Sequence, residues 1–482
     1  MEMRKAAACL LICALILSCV LPAAYAETLS GQERISGDFA YTLKDDGSAA
    51  IARYTGTQAV LAVPQALDGI PVTAVGSHAF QANDALTEAV LPEGIVSLGD
   101  YAFLHCVNLA KVSLPASLTE VGLNPFTGCE LLADLAVAAG NPNLRIEENV
   151  LFSLDDKRLI RYPMLKEPGS YTIPGAIRII GASAFDQCEN ITGILIPDDT
   201  ALTAIGRRAF YQCGNLRAIN LENANISTIG ADAFGGCRRL EKLAFPEKIT
   251  SIAERAFQDC TDLKELILPE AITSIGEMAF RNCESLVSIR LPDGVTAIGK
   301  NTFAGCRELA EVYFPEELSY IGGGAFQNCE SLRTLDLPEA VDYIGSEAFD
   351  GCTALEEIQI PDMCSFIGPY AFSRCQSLKS LVLPSYVSVI NPFTFSGCVS
   401  LTEIELPEDL EEIGENAFFC CYALKEIVIP DPVEVIGNRA FSNCVSLESV
   451  ELPEDLETVG PDTFERCEKL TDLPDLSDLY EE

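Results

Sequence analysis

Apolar side chains recur along this chain in one pattern with a period of 23 residues. Between Leu240 and Leu470 it reads L-x-x-[ILV]-x-[LIF]-P-x-x-[ILV]-x-x-[IV]-[GN]-x-x-[AT]-F-x-x-C-x-x-L, with Ala253 in the first glycine position. One copy runs through Leu263, Leu266, Leu268, Pro269, Ile272, Ile275, Gly276, Ala279, Phe280 and Cys283. Alternation in L-x-x-L-x-L predicts a strand, and the proline after it ends the ladder. The Ile-x-x-Ile-Gly run predicts a shorter extended piece whose glycine permits a turn that a β-carbon would hinder. Ala-Phe-x-x-Cys-x-x-Leu has near-helical spacing and predicts the return to the next strand. A fixed period of this length predicts a stacked solenoid, each unit burying its apolar edge only against its neighbours.

The repeats begin near Leu61, and sixteen phenylalanines mark them from Phe80 to Phe464. At about 4.8 Å between paired strands, sixteen rungs give a body roughly 75–80 Å long. Residues 27–57 break the pattern. Phe39, Tyr41 and Leu43 alternate before Asp45-Asp46-Gly47, with Ile51 and Tyr54 beyond, which predicts a β-hairpin capping the first open edge. Repeats then fill 58–130 and 176–470. Between them, 131–175 is predicted as an irregular β-rich unit within the stack, with strands at 149–153, 159–163 and 171–174 and a turn at Asp155-Asp156. An acidic tail occupies 471–482.

Residues 1–26 are predicted as a secretory leader. Arg4 and Lys5 precede an apolar stretch from Ala6 to Val20, and Ala24-Tyr25-Ala26 is an A-x-A cleavage site. The competing lipoprotein reading at Cys19 fits less well, because Leu17 is a poor match in that box. No later stretch is long enough to span a bilayer. The expected location is extracellular, secreted or associated with a cell surface.

Composition adds one constraint. Formal net charge is −39 over 482 residues, which excludes a nucleic-acid or anionic-membrane reader on electrostatic grounds. It favours cations or basic patches on partners.

The unit Leu-Pro-x-x-Val-x-x-Ile-Gly-x-x-Ala-Phe-x-x-Cys resembles the BspA-like leucine-rich repeat of bacterial surface and secreted proteins. The lead-in Ser36-Gly37-Asp38-Phe39-Ala40-Tyr41 and the stretch from Val150-Leu151-Phe152 to Tyr162-Pro163 look like parts of such proteins too. Asn83 departs from that pattern at the cysteine, Asn391 at the glycine and Thr394 at the alanine. The resemblance implies a leucine-rich repeat solenoid of the α/β repeat class: β-rich, a curved right-handed stack with an N-terminal hairpin cap. It implies adhesion to matrix proteins, host cells or other bacteria as a class of function, with no residue attached.

Candidate chemistry is sparse. Fifteen of the 20 cysteines hold one repeat position, three residues after the phenylalanine, while Cys364 and Cys420 lie off that register. One thiol per repeat makes a row, not a tetrahedral zinc site, and in-register neighbours meet with poor disulfide torsion. Buried, reduced thiols acting as small hydrophobes are expected. The two histidines, His78 and His105, each adjoin a phenylalanine anchor position, and no catalytic fingerprint stands in a suitable context. The expectation is therefore no enzyme, no cofactor and no defined metal site. Two outward stripes remain. Tyr320, Tyr343 and Phe366 precede the inward isoleucine in three successive repeats, with Tyr313, Tyr370 and Tyr386 nearby; they could bind a protein or glycan, or merely stabilise adjacent rungs. Glu247, Glu270, Asp293, Glu316, Glu339 and Asp362 follow the strand-ending proline, a solvated edge or a weak cation ladder. The functional expectation is non-catalytic binding of an extracellular protein or glycan. The alternatives are a scaffold assembling with itself or with neighbouring surface proteins, and, further off, a carbohydrate-active enzyme.

Overall fold

The computed structural model describes residues 33–454, 456–471, 476 and 479, so the predicted leader at 1–26 and most of the predicted tail at 471–482 lie outside the described residues. Each repeat contributes two short strands. In one repeat these are Glu265–Ile267 and Ser274–Ile275, with Leu266 and Ile275 turned inward and Glu265, Ile267 and Ser274 exposed. Each pairs in parallel with its counterpart 23 residues away: Leu243 faces Leu266, and Ile252 faces Ile275. Identical sequence positions therefore stack into columns, which is the arrangement a strict period demands.

The third side of each coil departs from the sequence expectation. Among the described residues there is no α-helix; a 3-10 turn spans Leu221–Asn223. The α contribution to the expected α/β class is thus absent, and the solenoid is a β-solenoid. What occupies 253–260 is a run of tight turns whose N–H groups alternate in direction. Those of Ala256, Gln258 and Cys260 donate back to the carbonyls of Ala253, Arg255 and Phe257 at 3.2, 3.2 and 3.3 Å. Those of Arg255, Phe257 and Asp259 donate across to Glu277, Ala279 and Arg281 of the next repeat at 3.0, 2.9 and 2.8 Å. Local turns give the same three-residue spacing that a helix does, while the alternate donors hold the coils together.

This geometry needs left-handed backbone at two places per repeat. Arg255 (φ 54°) and Asp259 (φ 60°) occupy them in one copy, Met278 (57°) and Asn282 (58°) in the next. Asn, Asp and Gly tolerate that region best. They hold the second position at Asp259, Asn282, Gly305, Asn328 and Gly351. Cys420 (φ 61°), off the cysteine register, stands in this same column, and His78 and His105 also sit in left-handed positions.

The glycine before the turns is required for a different reason from the turn itself. A β-carbon on Gly276 would lie 2.5 Å from the Glu254 nitrogen and 2.7 Å from the Ala253 carbonyl carbon, so consecutive coils approach backbone to backbone. After Thr228 the ladder of second strands is interrupted three times: Thr228–Ile229 does not pair with Ser251–Ile252, where the column holds Ala253, nor Ser274–Ile275 with Ala297–Ile298, where it holds glycine, nor Phe366–Ile367 with Val389–Ile390, where it holds Asn391. The Asn391 side chain instead donates to the Ile367 carbonyl at 2.7 Å, and the Thr394 hydroxyl to the Asn391 carbonyl at 2.7 Å.

Inside, the phenylalanines form two stacks, Phe80 to Phe126 and Phe185 to Phe464. Phe326 lies 5.5 Å from Phe303 and 5.6 Å from Phe349, nearly parallel to each. Beside them the cysteines do more than fill space. The thiols in the repeat register donate to the carbonyl of the phenylalanine one repeat back, as in Cys283 to Phe257 at 3.3 Å, Cys306 to Phe280 at 3.2 Å and Cys329 to Phe303 at 3.2 Å, except that Cys188 donates to Tyr162. Asn83, standing where cysteine is usual, supplies the equivalent donor through Nδ2 to the Gly56 carbonyl at 2.9 Å. Cys364 is a core residue as well, fully buried in the column that holds Val341 and Val387.

Two irregular segments complete the stack. At the N-terminal end, Arg34–Ser36, Phe39–Leu43 and Ala49–Tyr54 form an antiparallel sheet. Ala49–Tyr54 then pairs in parallel with Ile70–Val75, and Tyr54 supplies a ring 5.5 Å from Phe80. In the middle, Leu144–Glu147, Val150–Ser153 and Arg158–Arg161 run antiparallel across the body. Their alternate side chains face opposite ways. Leu151 and Ile160 join the apolar core that begins at Tyr41, whereas Val150, Phe152 and Leu159 join the one that continues past Leu447. The interior is therefore two cores divided by one sheet layer.

Side chains replace the missing backbone ladder at this division. Arg158 donates to the carbonyls of Val121 and Gly122 at 2.7 and 3.1 Å, Arg161 to that of Leu132 at 2.9 Å, and Asn124 to that of Ser183 at 2.8 Å. Just beyond it, Asp186 is buried with neither carboxylate oxygen hydrogen-bonded, 3.6 Å from Arg208 Nη2. Burial pushes its pKa up to about 6, which the arginine only partly offsets. A carboxyl that holds its proton more tightly folded than unfolded stabilises the fold at low pH, and that contribution is lost as pH rises from about 4 through about 6. Asp186→Asn is expected to flatten this slope and to raise stability at pH 7.5 by about 2 kcal/mol, measured by urea denaturation across pH 4–8. An unchanged slope would contradict it.

Candidate binding surface

Residues between inward-facing ones must face outward in an extended run. Tyr320, Tyr343 and Phe366 obey this rule. Each precedes a buried isoleucine, and the three are direct register partners on consecutive second strands. Their rings stack at 4.8 and 4.7 Å with interplanar angles of 13° and 12°. Tyr320 is exposed, and the other two are half-buried.

The remaining aromatic candidates fall into three other places. Tyr313 stands on the first strand of the repeat, with the Arg290 guanidinium 4.5 Å from its ring centre and its hydroxyl donating to Glu311 Oε2 at 2.9 Å. Tyr370 sits in the turn side and stacks on Phe393 at 4.6 Å, a partner the sequence reading missed. Tyr386 is in the loop between the strands, 64% exposed, in the same column as Met363 one repeat earlier, itself 59% exposed. The structure therefore joins three of the six in one ladder and distributes the others around the same few coils.

The acidic column Glu247, Glu270, Asp293, Glu316, Glu339 and Asp362 is exposed along its length. None of these six makes an ion pair with a described residue, and among the described residues no group of three or more potential ligands is placed to hold a metal. Elsewhere acids are paired: Glu356 is held low by Lys379, 2.5 Å away, and Asp350 receives Arg374 at 2.6 and 2.9 Å.

Nucleophilic chemistry has little access. All 17 described cysteines are free, and Cys420 alone is not buried. Burial pushes the thiols up, to about 11 at Cys106 and about 12 at Cys306, so the thiolate that reacts is scarce. The chain from Glu27 onward is expected to react with a thiol reagent at one site, Cys420, when folded, and at all 17 of its cysteines when unfolded in urea. Recovery of fewer than half the thiols after unfolding without reductant would contradict reduced cysteines.

Comparison with known proteins places this geometry. The profile of the BspA type leucine rich repeat region matches residues 70–154, 167–286, 250–379 and 365–479. No curated protein matches the chain at a significant level. Among solved structures, a leucine-rich repeat protein from Bacteroides ovatus is 24% identical, with 91% of this chain and 93% of that one covered and a TM-score of 0.51. A leucine rich cell surface protein from Faecalibacterium prausnitzii is 24% identical over 88% of this chain and 95% of its own, with a TM-score of 0.41. A leucine-rich repeat protein from Eubacterium ventriosum is 20% identical over 67% and 95%, with a TM-score of 0.44.

Proposed function

The chain belongs to the BspA-type leucine-rich repeat family, and from that premise we propose that it is an exported, non-catalytic binding protein acting outside the cell, in adhesion to a protein or glycan. The observation that carries this reading is the ladder of Tyr320, Tyr343 and Phe366. Stacked aromatic rings on an outer column offer apolar area already ordered before a partner arrives, so little side-chain entropy remains to be lost on binding. Aromatic clusters of this kind supply the dominant contacts of many interfaces. A core filled continuously by Phe, Leu, Ile and Cys leaves recognition to such outer columns.

Replacing Tyr320, Tyr343 and Phe366 together with serine tests the site. Binding of the chain from Glu27 onward to an array of matrix proteins and glycans is expected to fall at least about tenfold, the minimum for losing one or more central aromatic contacts. Circular dichroism and urea denaturation confirm that the variant is folded. Unchanged binding by a folded triple variant removes the patch as the site.

A further inference from the structure

The two outward columns of the coils around 290–345 use the same side-chain type in two different states. On the first strand, Arg290 and Tyr313 are register partners, and the guanidinium lies over the ring at 4.5 Å. On the second strand, the register partners are Ala297 and Tyr320. One face of Tyr320 is covered by Tyr343 at 4.8 Å. The other looks toward a methyl group, and no cation or ring of a described residue lies over it. Tyr320 is 41% exposed. One column therefore holds an arginine on a tyrosine, and the other presents, between the same two coils, the same half-site with the arginine missing.

The surroundings select the sign of the occupant. Across the coils from Leu286 to Phe366, the one with Ala297 included, the chain carries fourteen carboxylates against four cations, Arg290, Lys300, Arg307 and Arg333. Glu316 and Glu317 lie in the loop leading to Tyr320, and Glu339 and Asp342 in the loop leading to Tyr343; all four are exposed and none pairs with a described residue. A guanidinium placed on the open face of Tyr320 would meet the π-face and unpaired carboxylates together. A neutral sugar could stack there, but it would leave those charges unmatched.

We propose that the open face of Tyr320, beside Ala297, receives an arginine side chain of a basic polypeptide partner, with Glu316, Glu317, Glu339 and Asp342 matching the charge around it. This rests on the binding reading above and narrows it from protein or glycan to a cationic protein segment. The acidic field would also speed encounter with such a partner at low ionic strength.

The probe is a labelled hexa-arginine peptide, compared with hexa-citrulline, its neutral near-isostere, by fluorescence anisotropy at 0.15 M salt, where the Debye length is about 8 Å and distant charges are screened. Ala297→Arg places the chain's own guanidinium where Arg290 sits on the neighbouring column. It is expected to weaken hexa-arginine binding about tenfold or more, and Tyr320→Leu to do the same. Val428→Arg adds the same charge at an exposed first-strand position several rungs away and is expected to change binding by less than about twofold. Hexa-citrulline is expected to bind at least about tenfold more weakly than hexa-arginine. Equal effects of Ala297→Arg and Val428→Arg, or full binding by Tyr320→Leu, would overturn the proposal. Glycan binding lost in the triple serine variant, with peptide binding untouched, would sink this inference while leaving the aromatic patch standing as a site.

Discussion

Truncating Phe326 to alanine is expected to destabilise the fold by about 4 kcal/mol, within the range for removing a buried phenylalanine. The ring is fully buried, and its two stacking partners lie 5.5 and 5.6 Å away. Its loss removes the transfer energy of the side chain, opens a cavity that backbone-to-backbone packing of the coils cannot close, and ends two ring contacts. A solenoid has no other part of the chain with which to compensate, because each coil touches only its neighbours. Tyr386→Ala, at a position 64% exposed, is the matched control, expected within about 0.5 kcal/mol of the parent. Urea denaturation followed by circular dichroism reads both. A Phe326→Ala loss below about 1 kcal/mol would mean that the ring is not where the stack places it.

The sheet layer at 144–161 gives the second large effect. Leu151 and Phe152 are adjacent in sequence and almost fully buried, yet they belong to different cores. Leu151→Ala is expected to cost about 3 kcal/mol and Phe152→Ala about 4 kcal/mol. Their distribution is the distinguishing result. Hydrogen exchange in Leu151→Ala is expected to accelerate mainly in the strands from Tyr41 to Val137, and in Phe152→Ala mainly from Phe185 onward, because local opening follows cooperative units. Identical exchange maps for the two variants would show that the division has no energetic meaning.

Much of this was legible in the residues, and the misses have physical causes. The period set the columns, so the inward Leu, Ile, Phe and Cys and the outward Tyr320, Tyr343 and Phe366 could be assigned before any coordinates. The helical return could not, because successive three-residue turns space Phe and Cys as a helix does; only the crossing N–H groups of Arg255, Phe257 and Asp259 tell them apart. A signal was nonetheless present in the recurrence of Asn, Asp or Gly two residues after the phenylalanine, the mark of left-handed backbone. The cysteines were read as fillers, yet Asn83 in their column already hinted at a donor requirement. Two features left no periodic trace. Arg161 and Asp186 are buried because a non-repeating layer crosses the stack, and the Arg290–Tyr313 contact arises within one column of otherwise varied residues.

The central claim is that identical positions 23 residues apart lie one rung apart along a single axis, and inter-label distances test it most directly. In a Cys420→Ser background, the buried thiols resist labelling. Nitroxide pairs are then introduced through Ile267→Cys with Gln359→Cys, four rungs apart, and through Ile267→Cys with Val428→Cys, seven rungs apart. At about 4.8 Å per rung, pulsed electron resonance should give about 20 Å for the first pair and about 34 Å for the second. Distances that do not grow with rung number, or a second pair no longer than the first, would contradict the stack.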